Sequence, residues 1–225
     1  LSGPVLLNAI MLYLKNVYPK SRYSYRFVLL PETIGSIAYL SKFRKVLKRN
    51  IICGFNLSCV GDERSYGLVH TPQENSLADQ SLCASMIGLK NVKKYSFLRR
   101  GSDERQYCSP GIDLPLCSFS RSKDYPEYHT DKDNFNVVTQ KGLDGAFDVI
   151  KNIIDAFELG IYPKSTCFGE PNLGKRGLHF KLAQKNPHDR NLIFKKLDLI
   201  AYSNGKNNIF EISNLLQIPL KELCK

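Results

Sequence analysis

Apolar positions recur along this chain in two rhythms. From Pro4 to Val17 they fall at three- and four-residue spacing, which predicts an amphipathic helix opened by Ser2-Gly3-Pro4. From Tyr25 to Leu30 the run is short, apolar and rich in β-forming residues, which predicts a buried strand with Glu32 just past its end. Helical spacing returns from Ile34 to Arg49 through Ile37, Leu40, Phe43 and Leu47, with a strongly basic outer face. Ile51 to Val60 reads as a second strand closed by Gly61-Asp62, and Ser65 to Val69 as a third. Tyr95 to Leu98 and Leu114 to Phe119 are further strands. Asn75 to Gly88, with Ser76 as its cap, and Gly142 to Leu159 are further helices.

Strands that alternate with helices predict an α/β fold, a three-layer sandwich around a mostly parallel mixed sheet. Ligands of such sheets sit at the carboxyl ends of the strands. Glu32 and Asp62 both stand where a strand ends, which separates them from the other acidic residues; each is otherwise a loop carboxylate or a helix cap. After residue 160 the pattern changes. Residues 161–177 are rich in Pro, Gly and Ser, and Leu178 to Ala183 follow. Pro187 to Ser203 reads as a helix stopped by Asn204-Gly205, and Asn208 to Leu216 and Pro219 to Cys224 as two shorter ones. Three helices with tight turns predict a helix-turn-helix of the winged-helix kind. The expected division is an α/β domain over 1–160, a linker or docking segment over 161–186 and the helical unit over 187–225.

The 225 residues, 43% hydrophobic and 24% charged, are enough for one sizeable core. No apolar run approaches the roughly 20 residues of a membrane span, and no signal-peptide pattern opens the chain. Seven cysteines without a Cys-x-x-Cys pair read as reduced thiols of a cytoplasmic protein rather than a disulfide or zinc-ribbon framework. A net charge of +11 suits nucleic acid, an anionic surface or an acidic substrate, or a merely soluble basic surface.

Candidate chemistry concentrates in Tyr128-His129-Thr130-Asp131-Lys132-Asp133, preceded by Glu127. Imidazole is a common zinc ligand, and a neighbouring carboxylate can fix its tautomer. Ahead of it stands Gly101-Ser102-Asp103-Glu104-Arg105. Together with Leu1-Ser2-Gly3, Pro31-Glu32-Thr33-Ile34-Gly35-Ser36, Val60-Gly61-Asp62 and Pro110-Gly111-Ile112, these pieces fall in the order seen in zinc-dependent aminopeptidases with a phosphorylase/hydrolase-like fold. Nearly the whole chain resembles, more closely, an aminopeptidase-like family described beside polysaccharide-biosynthesis genes and carrying a C-terminal winged helix.

The resemblance implies a hydrolase acting on an amide bond with zinc, one or two ions. It implies Glu32 as the general base, Asp62 and His129 as metal ligands, and Asp103, Glu104, Arg105 and Tyr128 around the substrate. Arg105 could instead close a local salt bridge. Thr33 stands where the family has a second, metal-binding Glu, and a neutral hydroxyl is a poor substitute for it. Two further ligands are expected upstream, with Leu1-Ser2-Gly3 as the tail of an Asp-Asn motif, so that the chain is expected to be N-terminally truncated. The substrate would be a small peptide or an acylated amino sugar, and the protein a homo-oligomer without a membrane. A catalytically degenerate binding or scaffold protein is the rival reading, as is nucleic-acid binding through the helix-turn-helix. The latter is not favoured, because the segment Pro219 to Cys224 lacks the Arg, Asn and Gln cluster that reads base edges.

Overall fold

Residues 1–177 and 187–224 are described by the structure, a computed structural model. Its sheet has four strands, β1 (Gly54–Leu57), β2 (Tyr66–Val69), β3 (Val92–Tyr95) and β4 (Leu116–Ser120), in the order β1-β4-β2-β3. β1 lies parallel to β4 and β2 parallel to β3, while β2 and β4 run antiparallel with Leu68 opposite Phe119. The sheet is therefore mixed, with two parallel pairs and one antiparallel.

Eight helices accompany it among the described residues: α1 (Ser2–Val17), α2 (Ile34–Asn50), α3 (Leu77–Ser85), α4 (Glu104–Tyr107), α5 (Gln140–Leu159), α6 (Pro187–Tyr202), α7 (Ile209–Leu216) and α8 (Leu220–Leu223). α1 turns Leu6, Ile10 and Leu14 inward at four-residue steps. α5 does the same with Val149, Ile150, Ile153 and Phe157. These side chains close over Leu68, Cys117 and Phe119 of the sheet to make the main core. α2 buries Leu40 and Leu47 elsewhere, in a smaller cluster with Leu114 and the α4 residue Tyr107. The helices thus fall into two sets with separate apolar clusters, as an α/β layering requires.

Helix starts are chemically specified. Ser76 and Asp79 form a reciprocal capping box at α3, and Asn208 and Glu211 form another at α7. Thr139 caps α5 by accepting from the Gly142 N–H at 3.0 Å. A Cβ at Gly142 would lie 1.9 Å from the Gly61 carbonyl oxygen, so only glycine lets the first turn of α5 rest on the bend that leads to Asp62.

Two expected strands differ. Tyr25 to Leu30 is extended but belongs to no sheet. Tyr23, Tyr25 and Phe27 do pack against the core, and the Tyr25 hydroxyl donates to Glu158 at 2.6 Å. Alternation decided which side chains face inward, but a strand also needs a neighbour for its backbone, and none lies beside it among the described residues. Tyr95 to Leu98 is displaced: the strand is Val92–Tyr95 and Phe97–Arg99 is a 3-10 turn. Lys93 and Lys94 interrupt the apolar run, yet β3 is an edge strand, where lysine is at home.

The C-terminal helices dock on the α/β body. Asn208 Nδ2 donates to Gln80 Oε1 at 2.8 Å, and Asn214 Nδ2 to the Gln80 carbonyl at 2.9 Å. The fully buried Phe210 ring lies 5.3 Å from that of Phe157. The expected segment Leu178 to Ala183, and Lys225, lie outside the described residues. All seven cysteines are unpaired. No helix among the described residues is long and apolar enough to cross a membrane.

Candidate functional site

β1 and β4 are parallel, so they end side by side, and β2 begins at that same edge because it opposes β4. The loops that leave these ends are stitched together: Arg121 N–H donates to the Cys59 carbonyl at 2.9 Å, and Thr139 N–H to the Gly61 carbonyl at 3.0 Å. Asp62 sits at this junction, only 4% exposed. Its carboxylate accepts from the Arg64 guanidinium, from the Arg64 backbone N–H at 2.7 Å and from the Ser122 hydroxyl. Burial pushes the Asp62 carboxyl up, but the bonds from Arg64 and Ser122 outweigh it and hold the group below the usual carboxylate range.

Arg64 also reaches forward. Its guanidinium meets Glu127 at 3.1 Å and lies 5.6 Å from the centroid of the Tyr125 ring. Glu127 opens the run that carries His129, so one arginine ties the second strand end to that loop. Tyr125 donates to Asp133 at 2.7 Å and packs edge-on against Tyr128 with centroids 5.5 Å apart. Tyr128 stacks on His129 at 3.9 Å. His129 itself is exposed, has φ of 61°, and makes no hydrogen bond among the described residues.

Glu32 and Thr33 form a second wall. The Ile34 N–H donates to the Glu32 carbonyl at 2.7 Å, and Thr33 between them has φ 63° and ψ −67°. That is the γ-turn of positive φ, rare and strained for a β-branched residue. Two neighbours over-determine it: Asp103 accepts from the Thr33 N–H at 2.8 Å, and Arg105 donates to the Thr33 hydroxyl at 2.7 Å. The strained turn leaves Glu32 exposed. Burial, and then the charges of Cys59, Glu32 and Asp133, raise the Tyr128 hydroxyl above its ordinary pKa, so Glu32 lies within electrostatic reach of Tyr128.

The structure thus groups Glu32, Thr33, Asp103 and Arg105, with Tyr128 within electrostatic reach of Glu32. Glu104 is at hand but turned inward, 1% exposed, accepting from Gly101 N–H at 2.8 Å, Ser102 N–H at 3.2 Å and Asn56 Nδ2 at 3.1 Å. Its carboxylate is occupied in shaping the turn that presents Asp103. Asp62 and His129 do not come together with a third donor. Among the described residues no three His, Cys, Asp or Glu side chains converge as a metal ion needs. Asp62, moreover, is already neutralised by a guanidinium. The residues present do not by themselves fit a zinc centre. Burial pushes the Cys108 thiol up to about 11, which disfavours the thiolate a nucleophile would need.

Sequence reasoning passes over Arg64, Ser122, Tyr125 and Arg121. Arg64 carried a signal, an arginine two residues after a strand-end aspartate. Arg121 carried none. Its guanidinium is 4% exposed, donates to the carbonyls of Ser65 and Gly142 at 3.1 Å each and lies 3.8 Å from the Tyr66 ring centroid.

Comparison with known proteins places this geometry. The model of a domain of unknown function, DUF4910, matches residues 1–160, and that of a winged helix-turn-helix matches residues 161–225. A Clostridium acetobutylicum protein, named as a candidate polysaccharide biosynthesis protein with an aminopeptidase-like domain, is 35% identical over 95% of this chain and 49% of its own length. The crystal structure of a candidate peptidase from Clostridium acetobutylicum superposes with a TM-score of 0.82 at 31% identity, over 99% of this chain and 50% of that one. The chain spans about half the length of these relatives.

Proposed function

Residues 1–160 belong to the DUF4910 family and are followed by its winged helix-turn-helix partner, and from that membership we propose that this chain is part of a peptidase-like hydrolase that cleaves an amide bond with Glu32 as general base. The aminopeptidase-like and peptidase relatives support the reaction class. One observation carries the assignment to Glu32: the residue stands exposed next to a strained turn at Thr33 that Asp103 and Arg105 hold in place, and its charge is felt at the Tyr128 hydroxyl. Strain held in place by its surroundings gathers at sites of chemistry. Glu32 would take the proton of the attacking water, and Arg105 and Tyr128 would orient the substrate. The substrate would be a small peptide or, in keeping with the relative named for polysaccharide biosynthesis, an acylated amino sugar.

Zinc belongs to this proposal with Asp62 and His129 as its ligands in this chain. As they stand the two do not make a centre, so no step is routed through the metal, and proton transfer at Glu32 is the one chemical step assigned. The test is amide hydrolysis by the complete natural protein, with bound metal measured alongside. Glu32→Gln should lower turnover by about 10²–10⁴-fold without unfolding the chain. Undiminished turnover would overturn the assignment.

A second reading has its own support. Arg64 already supplies the positive charge that Asp62 needs, and Thr33 is not a carboxylate. Both favour a catalytically silent binding or scaffold protein on the same fold, for which the metal measurement would find none and the amide assay no turnover.

A further inference from the structure

A groove of about 710 Å³ runs between the outer face of α2 and the segment of α4, within the roughly 300–1,000 Å³ common for ligand sites. Its floor is aliphatic, with Ile37, Leu40 and Ile112, and its rim is cationic, with Lys42, Arg44 and Lys45. Spacing makes this face: residues 37, 41, 44 and 45 recur at helical steps along α2. One turn further on, Lys48 is paired with Asp113 at 3.3 Å. Lys42, Arg44 and Lys45 have no carboxylate partner among the described residues; Lys42 lies 5.4 Å from the Phe43 ring centroid instead. Three cations along an apolar floor, with no acid to neutralise them, form a surface that lacks its counter-charge.

The groove lies close to the Thr33 corner. The Ile37 N–H donates to the Thr33 carbonyl at 2.9 Å, in the first turn of α2, and the Ser109 hydroxyl donates to the Arg105 carbonyl at 2.5 Å. Ile37 and Ser109 both line the groove, so two of its lining residues lie one turn from Thr33 and Arg105, which bond to each other next to Glu32.

We propose that this groove holds an acidic peptide segment carrying aliphatic side chains, and, resting on the hydrolase reading, that the segment is the part of a substrate that continues away from the amide at Glu32. Aliphatic floor and cationic rim together ask for an occupant with both characters. A single-stranded nucleic acid stacks its bases on aromatic side chains, and none lines the groove. A neutral sugar chain would want aromatic faces and carboxylate acceptors, and the lining has neither.

Binding is the direct test, read without turnover. The complete natural protein would be titrated into three fluorescein-labelled probes followed by anisotropy: a short peptide of interspersed Leu and Glu, its counterpart with Lys for Glu, and a single-stranded oligonucleotide. The acidic peptide should bind, weaken as salt is raised, and lose at least about tenfold in affinity with the double variant Arg44→Glu/Lys45→Glu, because exposed rim charges set steering and salt dependence. Arg44→Gln/Lys45→Gln, which only removes charge, should fall between. The Lys peptide should not bind. Undiminished affinity in both variants, or tighter binding of the oligonucleotide, would overturn the proposal. Peptide binding with no amide hydrolysis would sink the hydrolase reading and leave the groove standing, and hydrolysis without peptide binding would do the reverse.

Discussion

The guanidinium of Arg64 closes on the carboxylate of Asp62 from two residues away, and the same side chain spans 3.1 Å to Glu127. A strand-end carboxylate that is nearly buried is thereby neutralised, and the loop bearing His129 is anchored to it. Arg64→Gln should destabilise the fold. Removing one partner of a buried pair costs about 3–5 kcal/mol, but Arg64 is half exposed, and solvent screening brings the expected loss to about 1–2 kcal/mol. Urea unfolding at neutral pH measures it. The pH dependence supplies the sign. Asp62 has a depressed pKa when folded, so its contribution is present above the unfolded carboxyl value and fades as pH falls through the folded one. Arg64→Gln should flatten that acid-side decline.

Thr33 offers a test of strain. A β-branched residue at φ 63° and ψ −67° costs roughly 1–3 kcal/mol. Glycine would remove that cost and would lose the exposed hydroxyl bond to Arg105 and some unfolded-state entropy. Thr33→Gly should therefore leave the protein as stable or about 0.5–1 kcal/mol more stable, whereas at an ordinary helix cap the same change would be neutral to harmful. Thermal unfolding decides. A clear loss of stability would mean that the bond from Arg105 to the Thr33 hydroxyl, not the turn, carries the energy.

How far the sequence reaches can be seen by comparing Tyr25 with Asp62. Both segments were read as strands, and for Ile51 to Val60 the expectation led to β1, which ends earlier, at Leu57, with Asp62 on the loop that follows it. For Tyr25 to Leu30 the same reasoning gave a buried strand, but the segment pairs with no strand among the described residues and leaves Leu29 and Leu30 exposed, because a ladder depends on a neighbour that local pattern does not encode. Helices were more legible: the cap at Ser76 is local chemistry and was anticipated, and the helix that Asn208 caps was expected to start there. The site divides along the same line. Asp62 was singled out by a strand that does precede it, whereas the strand that singled out Glu32 is absent from the sheet. That Glu104 is buried under Asn56 and that Arg64 fills Asp62 are long-range facts, set by how α4 and the loop after β1 pack.

Asp79 should govern a separate acid sensitivity. Its carboxylate is 1% exposed and accepts from His70 Nδ1 at 3.0 Å, Thr71 N–H at 2.9 Å, the Thr71 hydroxyl, and Ser76 N–H and hydroxyl at 3.0 and 2.7 Å. Burial alone would raise its pKa, but these bonds outweigh burial and lower it. Its stabilisation is thus complete above the unfolded carboxyl pKa, about 3.9, and disappears as pH falls through the lower folded value. Asp79→Asn keeps the shape but turns one acceptor into a donor facing donors. It should cost about 2–4 kcal/mol at neutral pH, and much less at the acid end of a pH series of urea melts. An equal cost at every pH would show that the charge is not what holds this turn.

The winged helix-turn-helix meets the α/β body at Gln80, and a double-mutant cycle can show whether the two fold as one unit. Gln80 takes a bond from Asn208 Nδ2 at 2.8 Å and donates to Asn75 Oδ1 at 2.9 Å, while its carbonyl accepts from Asn214 at 2.9 Å. Asn208 has a second task, since its side chain caps α7 by accepting from Glu211 N–H at 2.9 Å. Asn208→Ala should lose both and cost about 1–2 kcal/mol. Gln80→Ala should cost about 1 kcal/mol, because the Asn214 bond goes to its backbone and survives. The two losses share one bond, so the double variant should fall short of their sum by about 0.5–1 kcal/mol. The transition should stay single in every variant, since Phe210 and Leu220 are buried in the same core as Phe157. Strictly additive losses, or a separate early transition in Asn208→Ala, would mean that the helix-turn-helix stands apart from the body and is free to present α8 to another molecule.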